Sequence, residues 1–157
     1  MRLLLHPGSA STTVLDAALL ISRVAIGLIL FVHGWQKLTE FTLAGTAAFF
    51  GDMGVPAAEA AAVFVTVVEL VGGAALILGL LTPLMAALNM VSLLGAFFIV
   101  HAPNGLFVEN NGYELVLALL AGLLLLVVLG GGRFSVDGLI GRRLERTTEP
   151  QPVAVDA

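Results

Sequence analysis

Residues 60–101 read AAAVFVTVVELVGGAALILGLLTPLMAALNMVSLLGAFFIVH, an apolar stretch about twice as long as one membrane-crossing helix. Its polar interruptions are Glu69, Asn89 and the pair Thr82-Pro83. Because proline cannot continue a helix and disfavours the helical state of the residue before it, we predict a tight turn near Leu81–Leu84. The predicted spans are therefore about 60–81 and 84–101.

Two further apolar stretches flank this pair. Residues about 15–38 are long enough to cross about 30 Å of hydrocarbon and carry Arg23 in their first half. Residues about 113–130 stop at the triplet Gly130–Gly132, which is typical of a helix end. The chain of 157 residues is 59% hydrophobic and 11% charged, whereas a soluble domain carries about a quarter charged residues. We therefore predict an all-α integral membrane protein, with a four-transmembrane-helix bundle over residues 14–132.

The basic residues predict the orientation of the bundle. Arg2 precedes the first span and Arg133, Arg142, Arg143 and Arg146 follow the last one, whereas the opposite loops hold Lys37 among several acidic residues. The positive-inside rule therefore predicts that both termini are cytoplasmic. Trp35 and Tyr113 fall at the predicted outer boundary, where amphipathic rings favour the headgroup level.

The remaining segments are predicted to lie outside the hydrocarbon. Phenylalanines among small residues after the first span indicate a short interfacial helix that leads to Val55-Pro56. Residues 133–146 suit an amphipathic helix with Ser135 as its N-cap and arginines for anionic lipid. We expect a flexible cytoplasmic lead at residues 1–13 and a disordered tail at 147–157.

Three polar residues are predicted to lie inside the membrane. An ionisable side chain there costs at least about 2.5 kcal/mol on insertion scales, so each needs a partner or a function. Counted along ideal helices, Arg23 lies roughly 12 Å and Glu69 roughly 18 Å from the cytoplasmic side, within the reach of an arginine. We predict a buried pair of Arg23 and Glu69, with Asn89 as a third member. The pair either fixes helix register or lets Glu69 change protonation.

A second polar layer is predicted near the outer surface. His33, Lys37, His101 and Glu114 come to similar heights on three helices and form a candidate ligand-binding group. Alternatively, His33 is an interfacial side chain bonded to a neighbouring helix or water, and His101 is a helix-end residue. A metal site is disfavoured, because no HxxxH or HxxE pair lies on one helix. Gly27 and Gly34 share a stripe with Arg23 and Lys37, so a neighbouring helix or a flat ligand can approach there.

Several kinds of chemistry are excluded by what the sequence lacks. The chain has no cysteine, so neither a disulfide nor a thiol reaction can reside in it. It has no nucleotide-binding glycine loop after a strand and no GxSxG motif. The net charge of −4 and the absence of a basic face outside the C-terminal helix argue against nucleic-acid binding. We predict no catalytic residue, no metal and no intrinsic cofactor in the polypeptide.

The arrangement of these residues resembles the DoxX family of small four-helix bacterial membrane proteins. The resemblance rests on RVAIGLILFVHGWQKL, FFGDMGVP, VVELVGGAALILGLLTPLMAALNM and GYELVLALLAGLLLLVVLGGGRFSVDGLI, and it covers about residues 20–140. It implies a subunit in the bacterial inner membrane that is associated with an oxidoreductase, similar to family members linked to thiosulfate:quinone oxidoreductases. Electrons would then come from a bound quinone or a partner protein.

Three hypotheses for the function follow. The leading one is a quinone-interacting subunit of a membrane redox complex, with a pocket between the helices for a quinone or another small lipophilic ligand. The alternative is a non-enzymatic scaffold in the lipid bilayer that recruits a soluble redox or stress enzyme through its C-terminal helix. The third is a small proton-coupled transporter, which would require a homodimer because four spans enclose only a narrow pore.

Overall fold

The computed structural model describes residues 12–148, and every regular element within this range is a helix. The six helices are α1 (Thr12–Thr39), α2 (Thr42–Asp52), α3 (Ala58–Leu78), α4 (Thr82–Asn104), α5 (Glu114–Leu129) and α6 (Val136–Thr148), and a 3-10 turn (Val108–Asn110) lies between α4 and α5. By length and composition, α1, α3 and α4 can each cross a membrane, and α5 is a shorter apolar helix. The all-α fold class is therefore confirmed for the described residues.

The predicted ends of the chain only partly overlap the described range. Most of the predicted lead (residues 1–11) and most of the predicted tail (residues 149–157) lie outside the described residues. Thr12 and Thr13 belong to α1, and Thr147 and Thr148 belong to α6. The two helices are therefore longer at these ends than the sequence pattern indicates.

The turn between α3 and α4 lies slightly before its predicted place. Helix α3 ends at Leu78, and Gly79 and Leu81 adopt left-handed conformations with φ of 71° and 49°. Helix α4 then begins at Thr82 with Pro83 in its first turn. Proline is well tolerated there, because the first N–H groups of a helix have no partner within the helix. Pro83 therefore lies in the first turn of α4, and Gly79 is the residue that ends α3.

Helices α1 and α3 touch along their backbones. A Cβ atom added to Gly34 would lie 2.5 Å from the backbone nitrogen of Leu70, and one added to Gly73 would lie 2.5 Å from that of Phe31. Such distances are far shorter than an ordinary carbon–nitrogen contact, so only glycine fits. The glycine stripe of α1 thus contacts a neighbouring helix.

The hydrophobic core lies between α1, α3, α4 and α5. Its buried members are Leu19, Ile26, Leu30, Leu76, Ala86, Leu93, Val116, Leu119, Leu123 and Leu126. Large apolar side chains also cover the outside of the helices, and Ile21, Phe98 and Val128 are each about two-thirds or more exposed. An apolar exterior of this kind is what a bilayer solvates and water does not.

The predicted pair of Arg23 and Glu69 is wrong. The Arg23 guanidinium, which is 2% exposed, donates to the carbonyl oxygens of Leu76 at 3.0 Å, Phe134 at 2.6 Å and Ile77. Two of these acceptors belong to the last turn of α3, where helix carbonyls have no partner within the helix. Arginine therefore finds acceptors at the end of α3 and has no need of a carboxylate in mid-membrane.

The third predicted member, Asn89, is also buried but bonds to backbone. Its side-chain amide donates to the carbonyl oxygens of Met85 at 2.9 Å and Val68 at 3.3 Å. Asn89 thus joins α4 to α3. Neither Arg23 nor Glu69 contacts it through a hydrogen bond within the described residues.

The segment between α5 and α6 joins three parts of the chain. Arg133 forms an ion pair with Asp16 near the start of α1, with Nε 3.1 Å from a carboxylate oxygen. The Asp137 carboxylate accepts from the backbone N–H groups of Leu81 and Thr82 at 2.7 and 2.8 Å and so caps α4. Ser135 accepts from Gly138 at 3.0 Å, which confirms it as the N-cap of α6. We call Arg23, Asp16, residues 79–82 and residues 130–138 the junction.

Candidate functional site

A cavity of about 790 Å³ lies at the end of the bundle opposite the junction. It is enclosed by the second half of α1, the first halves of α3 and α5, the last turns of α4, and α2. The volume falls in the range of small-molecule sites, about 300–1,000 Å³. Most lining side chains are apolar, and the polar ones are His33, Gln36, Lys37, Thr46, Glu69, Ser92, His101 and Asn111. We call this space the cavity.

An ion pair forms part of the cavity wall. Lys37 Nζ lies 2.6 Å from Glu69 Oε2, and the side chains are 18% and 7% exposed. Gly34, one turn before Lys37, lets α3 come close enough for this contact, because a Cβ there would lie 3.0 Å from the carbonyl carbon of Glu69. The two charges neutralise each other, so the wall carries no net charge from this pair.

Glu69 and His101 both lie on irregular helical turns. Helix α3 contains a π-helical turn at Val68–Gly72, and α4 contains another at Phe97–His101. A π turn carries one extra residue per turn, which rotates the following side chains relative to a regular helix and often marks a functional site. One polar side chain of each turn, Glu69 or His101, lines the cavity.

Both histidines use Nδ1 for a backbone contact. His33 Nδ1 lies 2.8 Å from the carbonyl oxygen of Ile29, and His101 Nδ1 lies 2.8 Å from that of Asn111. Since a carbonyl oxygen can only accept, Nδ1 carries the hydrogen in each neutral ring and Nε2 keeps a free lone pair. Neither Nε2 has a hydrogen-bond partner in the part of the chain whose side chains the structure describes, residues 12–144. Each ring therefore offers an acceptor.

Glu114 does not line the cavity with the other three predicted ligand-binding residues. Its carboxylate accepts from the backbone N–H of Val108 at 2.7 Å, which holds the loop between α4 and α5. That loop contributes Val108 and Asn111 to the wall. Glu114 therefore holds part of the cavity wall in place without lining the cavity. Glu69, which the sequence assigned to the buried pair, lines the cavity in its place.

Several lining residues were missed in the sequence. Helix α2 was predicted only as an interfacial element, yet its phenylalanines Phe49 and Phe50, with Phe41 just before it, line the cavity. Phe64 of α3 adds a fourth aromatic ring. Three phenylalanines among small residues are the signal that could have indicated a cover over a lipophilic site. In the described range, no group of three or more histidine, aspartate or glutamate residues could hold a metal ion.

Comparisons with known proteins agree on one family. The DoxX family model matches residues 18–102, which run from the first turns of α1 to the last turn of α4. The chain is 29% identical to "Inner membrane protein YqjF" of Escherichia coli over 128 residues, covering 82% of this chain and 95% of that protein. It is 28% identical over 124 residues to "Inner membrane protein YphA" of the same organism, covering 76% of this chain and 87% of that protein.

A third relative carries a functional name. The chain is 34% identical to "Putative oxidoreductase CatD" of Bacillus subtilis over 117 residues, covering 73% of this chain and 80% of that protein. No solved structure matches the chain.

Proposed function

This chain belongs to the DoxX family and is a multi-pass inner-membrane protein, and from that premise we propose that it is the quinone-binding subunit of a membrane redox complex. The ligand would be a quinone or a similar small lipophilic molecule. It would occupy the cavity.

The cavity carries this proposal. A quinone needs an apolar slot for its ring and tail, and groups near its head that can form hydrogen bonds and exchange protons. Apolar and aromatic side chains supply the slot, and His33, His101 and Lys37 supply polar groups. Histidine is suited to proton exchange because its unperturbed pKa lies near neutrality.

The proposed role in a redox complex is supported by the name of one relative. One relative is named as an oxidoreductase, and the chain itself has no cysteine that could carry electrons. A bound quinone would therefore exchange electrons with a partner redox protein. The polypeptide would bind and orient the ligand and exclude water from it.

We also propose that α5 is a fourth span and that both termini are cytoplasmic. Arg133, just after α5, pairs with Asp16 near the start of α1, so these two points lie at the same end of the bundle. An even number of crossings fits this geometry. The arginines after α5 put that end in the cytoplasm by the positive-inside rule.

Single cysteines can test the topology, because the chain has none of its own. A membrane-impermeant maleimide should label Glu109→Cys in intact spheroplasts and Arg142→Cys only after lysis. Both residues are exposed. Labelling of both in intact cells would overturn the four-span topology.

The quinone proposal is tested by extraction and binding. We expect organic extracts of the purified protein to contain quinone at a substantial fraction of one per chain, and the amount to fall in Lys37→Met. Trp35→Phe is the matched control, since Trp35 is on the same turn of α1, is exposed and is not part of the cavity wall. Absence of quinone from the extract, with no binding of added quinone, would refute the proposal.

One observation favours the scaffold hypothesis as a second candidate. Leu139, Ile140 and Leu144 of α6 are exposed, and Arg142 lies among them. If α6 recruits a soluble enzyme, replacing Leu139 and Leu144 by serine should abolish function without changing quinone binding. This double substitution leaves Asp137 and its capping bonds to α4 intact.

The transporter hypothesis loses its supporting observation. It depended on an Arg23–Glu69 pair in mid-membrane, and Arg23 bonds instead to carbonyl oxygens at the junction.

A further inference from the structure

We propose that the cavity prefers the reduced, hydroxyl-bearing form of its ligand, a quinol, over the oxidised quinone. This inference rests on the proposed function, because it names which redox form the same cavity holds more tightly. It follows from the charge of the cavity wall and from the hydrogen-bonding capacity of its polar groups.

The cavity suits a neutral ligand. Its charged groups, the half-buried Lys37 and the buried Glu69, already pair with each other at 2.6 Å. A charged ligand would have to compete with one partner and leave the other unpaired, and an unpaired buried charge is strongly unfavourable. A neutral head group leaves the ion pair intact.

The two histidines select for hydroxyl groups. Nδ1 of each ring is held by a carbonyl oxygen at 2.8 Å, so each neutral ring presents Nε2 as an acceptor. A quinol O–H can donate to such a nitrogen. A quinone carbonyl can only accept, and it would place its oxygen lone pairs against the nitrogen lone pair.

Lys37 does not reverse this preference. Its ammonium group has three N–H donors, one of which points to Glu69, and the others can donate to a ligand oxygen. A carbonyl oxygen and a hydroxyl oxygen both accept such a bond. The contact with Lys37 is therefore common to both redox forms, and the histidines make the difference.

The size of the preference follows from the number of hydrogen bonds. One neutral hydrogen bond changes affinity about fivefold. If one or both histidines accept from the ligand, the quinol should bind roughly fivefold to thirtyfold more tightly than the quinone.

The first experiment uses the unmodified chain, so it does not depend on how variants fold. Dissociation constants are measured under anaerobic conditions in nanodiscs free of endogenous quinone, for three ligands with one decyl tail. These are a benzoquinol, the matching benzoquinone and the dimethyl ether of the quinol, which has no O–H. We expect the quinol to bind most tightly. The dissociation constants of the quinone and the ether should be roughly fivefold to thirtyfold higher.

The outcomes separate this inference from the proposed function. If the quinone binds as tightly as the quinol or more tightly, the preference is refuted while the proposed function stands. If none of the three ligands binds, the proposed function fails together with the preference.

Variants then locate the preference. His33→Phe and His101→Phe should each weaken quinol binding about fivefold and leave quinone binding unchanged, since each removes an acceptor and keeps a ring. Phe98→Leu is the control, because Phe98 shares the π turn of His101 but is 67% exposed and does not line the cavity. If the histidine variants weaken both redox forms equally, the Nε2 acceptors do not distinguish quinol from quinone, and the inference is wrong.

Discussion

The junction and the cavity lie at opposite ends of one bundle, and their polar groups differ in their hydrogen-bond partners. At the junction, Arg23 and Asp137 are bonded to the backbone of segments more than fifty residues away. At the cavity, His33 and His101 bond to backbone only through Nδ1, and each keeps an acceptor without a partner among the described residues. Arg23 Nε and Thr82 Oγ1 at the junction also have no partner among the described residues, but both are buried, whereas His33 is exposed and His101 half-buried. Bonds within the chain stabilise a fold, and an open acceptor that a ligand can reach is available for binding. Substitutions at the junction should therefore affect stability, and those at the cavity should affect binding.

Arg23→Leu should have the largest effect on stability. It leaves the carbonyl oxygens of Ile77 and Phe134 without their donor, and leaves that of Leu76 with only the backbone N–H of Gly79. Each unpaired buried group costs about 1–3 kcal/mol. We expect a loss of about 3–5 kcal/mol, read as a lower unfolding temperature in nanodiscs or as loss of folded protein. The free energy of unfolding should fall less in Arg23→Lys, because the lysine ammonium group can still donate to a carbonyl oxygen. A wild-type unfolding temperature for Arg23→Leu would contradict the structural role of the junction.

Gly73→Ala should have the next largest effect. The new Cβ would lie 2.5 Å from the backbone nitrogen of Phe31, so α1 and α3 must move apart. Overpacking of this kind costs about 1–3 kcal/mol, measured by the same unfolding assay. Gly95→Ala is the control, because nothing lies within 4 Å of a Cβ at that position. Equal effects of the two substitutions would mean that the helices do not touch at Gly73.

Asp137→Ala should destabilise the junction to a smaller degree. It removes the side-chain acceptor of Leu81 and Thr82 at the start of α4, and loss of an N-terminal cap costs about 1 kcal/mol, up to about 2. Asp52→Ala is a suitable comparison, since Asp52 is exposed and lies at the end of α2. Equal lowering of the unfolding temperature by the two substitutions would show that Asp137 does not cap α4.

Glu69→Gln should change the ligand that the cavity accepts more than it changes stability. The glutamine can still accept a hydrogen bond from Lys37, and Lys37 is 18% exposed, so we expect a loss of about 1–2 kcal/mol, smaller than for a fully buried ion pair. The lysine charge is no longer neutralised, however, so a fatty-acid anion should bind to the variant and not to the wild type. Binding of the anion to the wild type would show that the ion pair does not exclude charged ligands.

His33→Phe should have the smallest effect on stability, within about 0.5 kcal/mol of the wild type. The ring is exposed and its hydrogen bond is to the carbonyl of Ile29 in the preceding turn of the same helix. The unfolding temperature without ligand checks this directly. A large destabilisation would mean that His33 belongs to the architecture and not to a binding site.

Much of the fold could be predicted because the apolar stretches are long and their ends carry strong local signals. The helix end at Gly130, for example, follows from the positive φ that glycine readily adopts, which is 73° in the structure. The start of α4 was placed too late because proline was read as the break, whereas Gly79 ends α3.

The site was predicted less completely. His33, Lys37 and His101 could be placed together because heights along antiparallel helices can be counted from their ends. The partner of Glu69 could not, because the heights of α1 and α3 were counted with the wrong offset: Glu69 lies beside Gly34, one turn before Lys37, whereas Arg23 lies beside Gly79 at the end of α3. Glu114 was included on height alone, although its carboxylate bonds to a neighbouring loop.

The most direct measurement is the rise in unfolding temperature on adding the decyl benzoquinol, compared between variants of the two regions. A ligand that binds only the folded chain stabilises it in proportion to the logarithm of its concentration over its dissociation constant. We predict a clear rise for the wild type and for Arg23→Lys, which starts from a lower temperature, and a much smaller rise for the double variant His33→Phe, His101→Phe. No rise in the wild type, or an equal rise in the double variant, would contradict the assignment of the cavity as the ligand site.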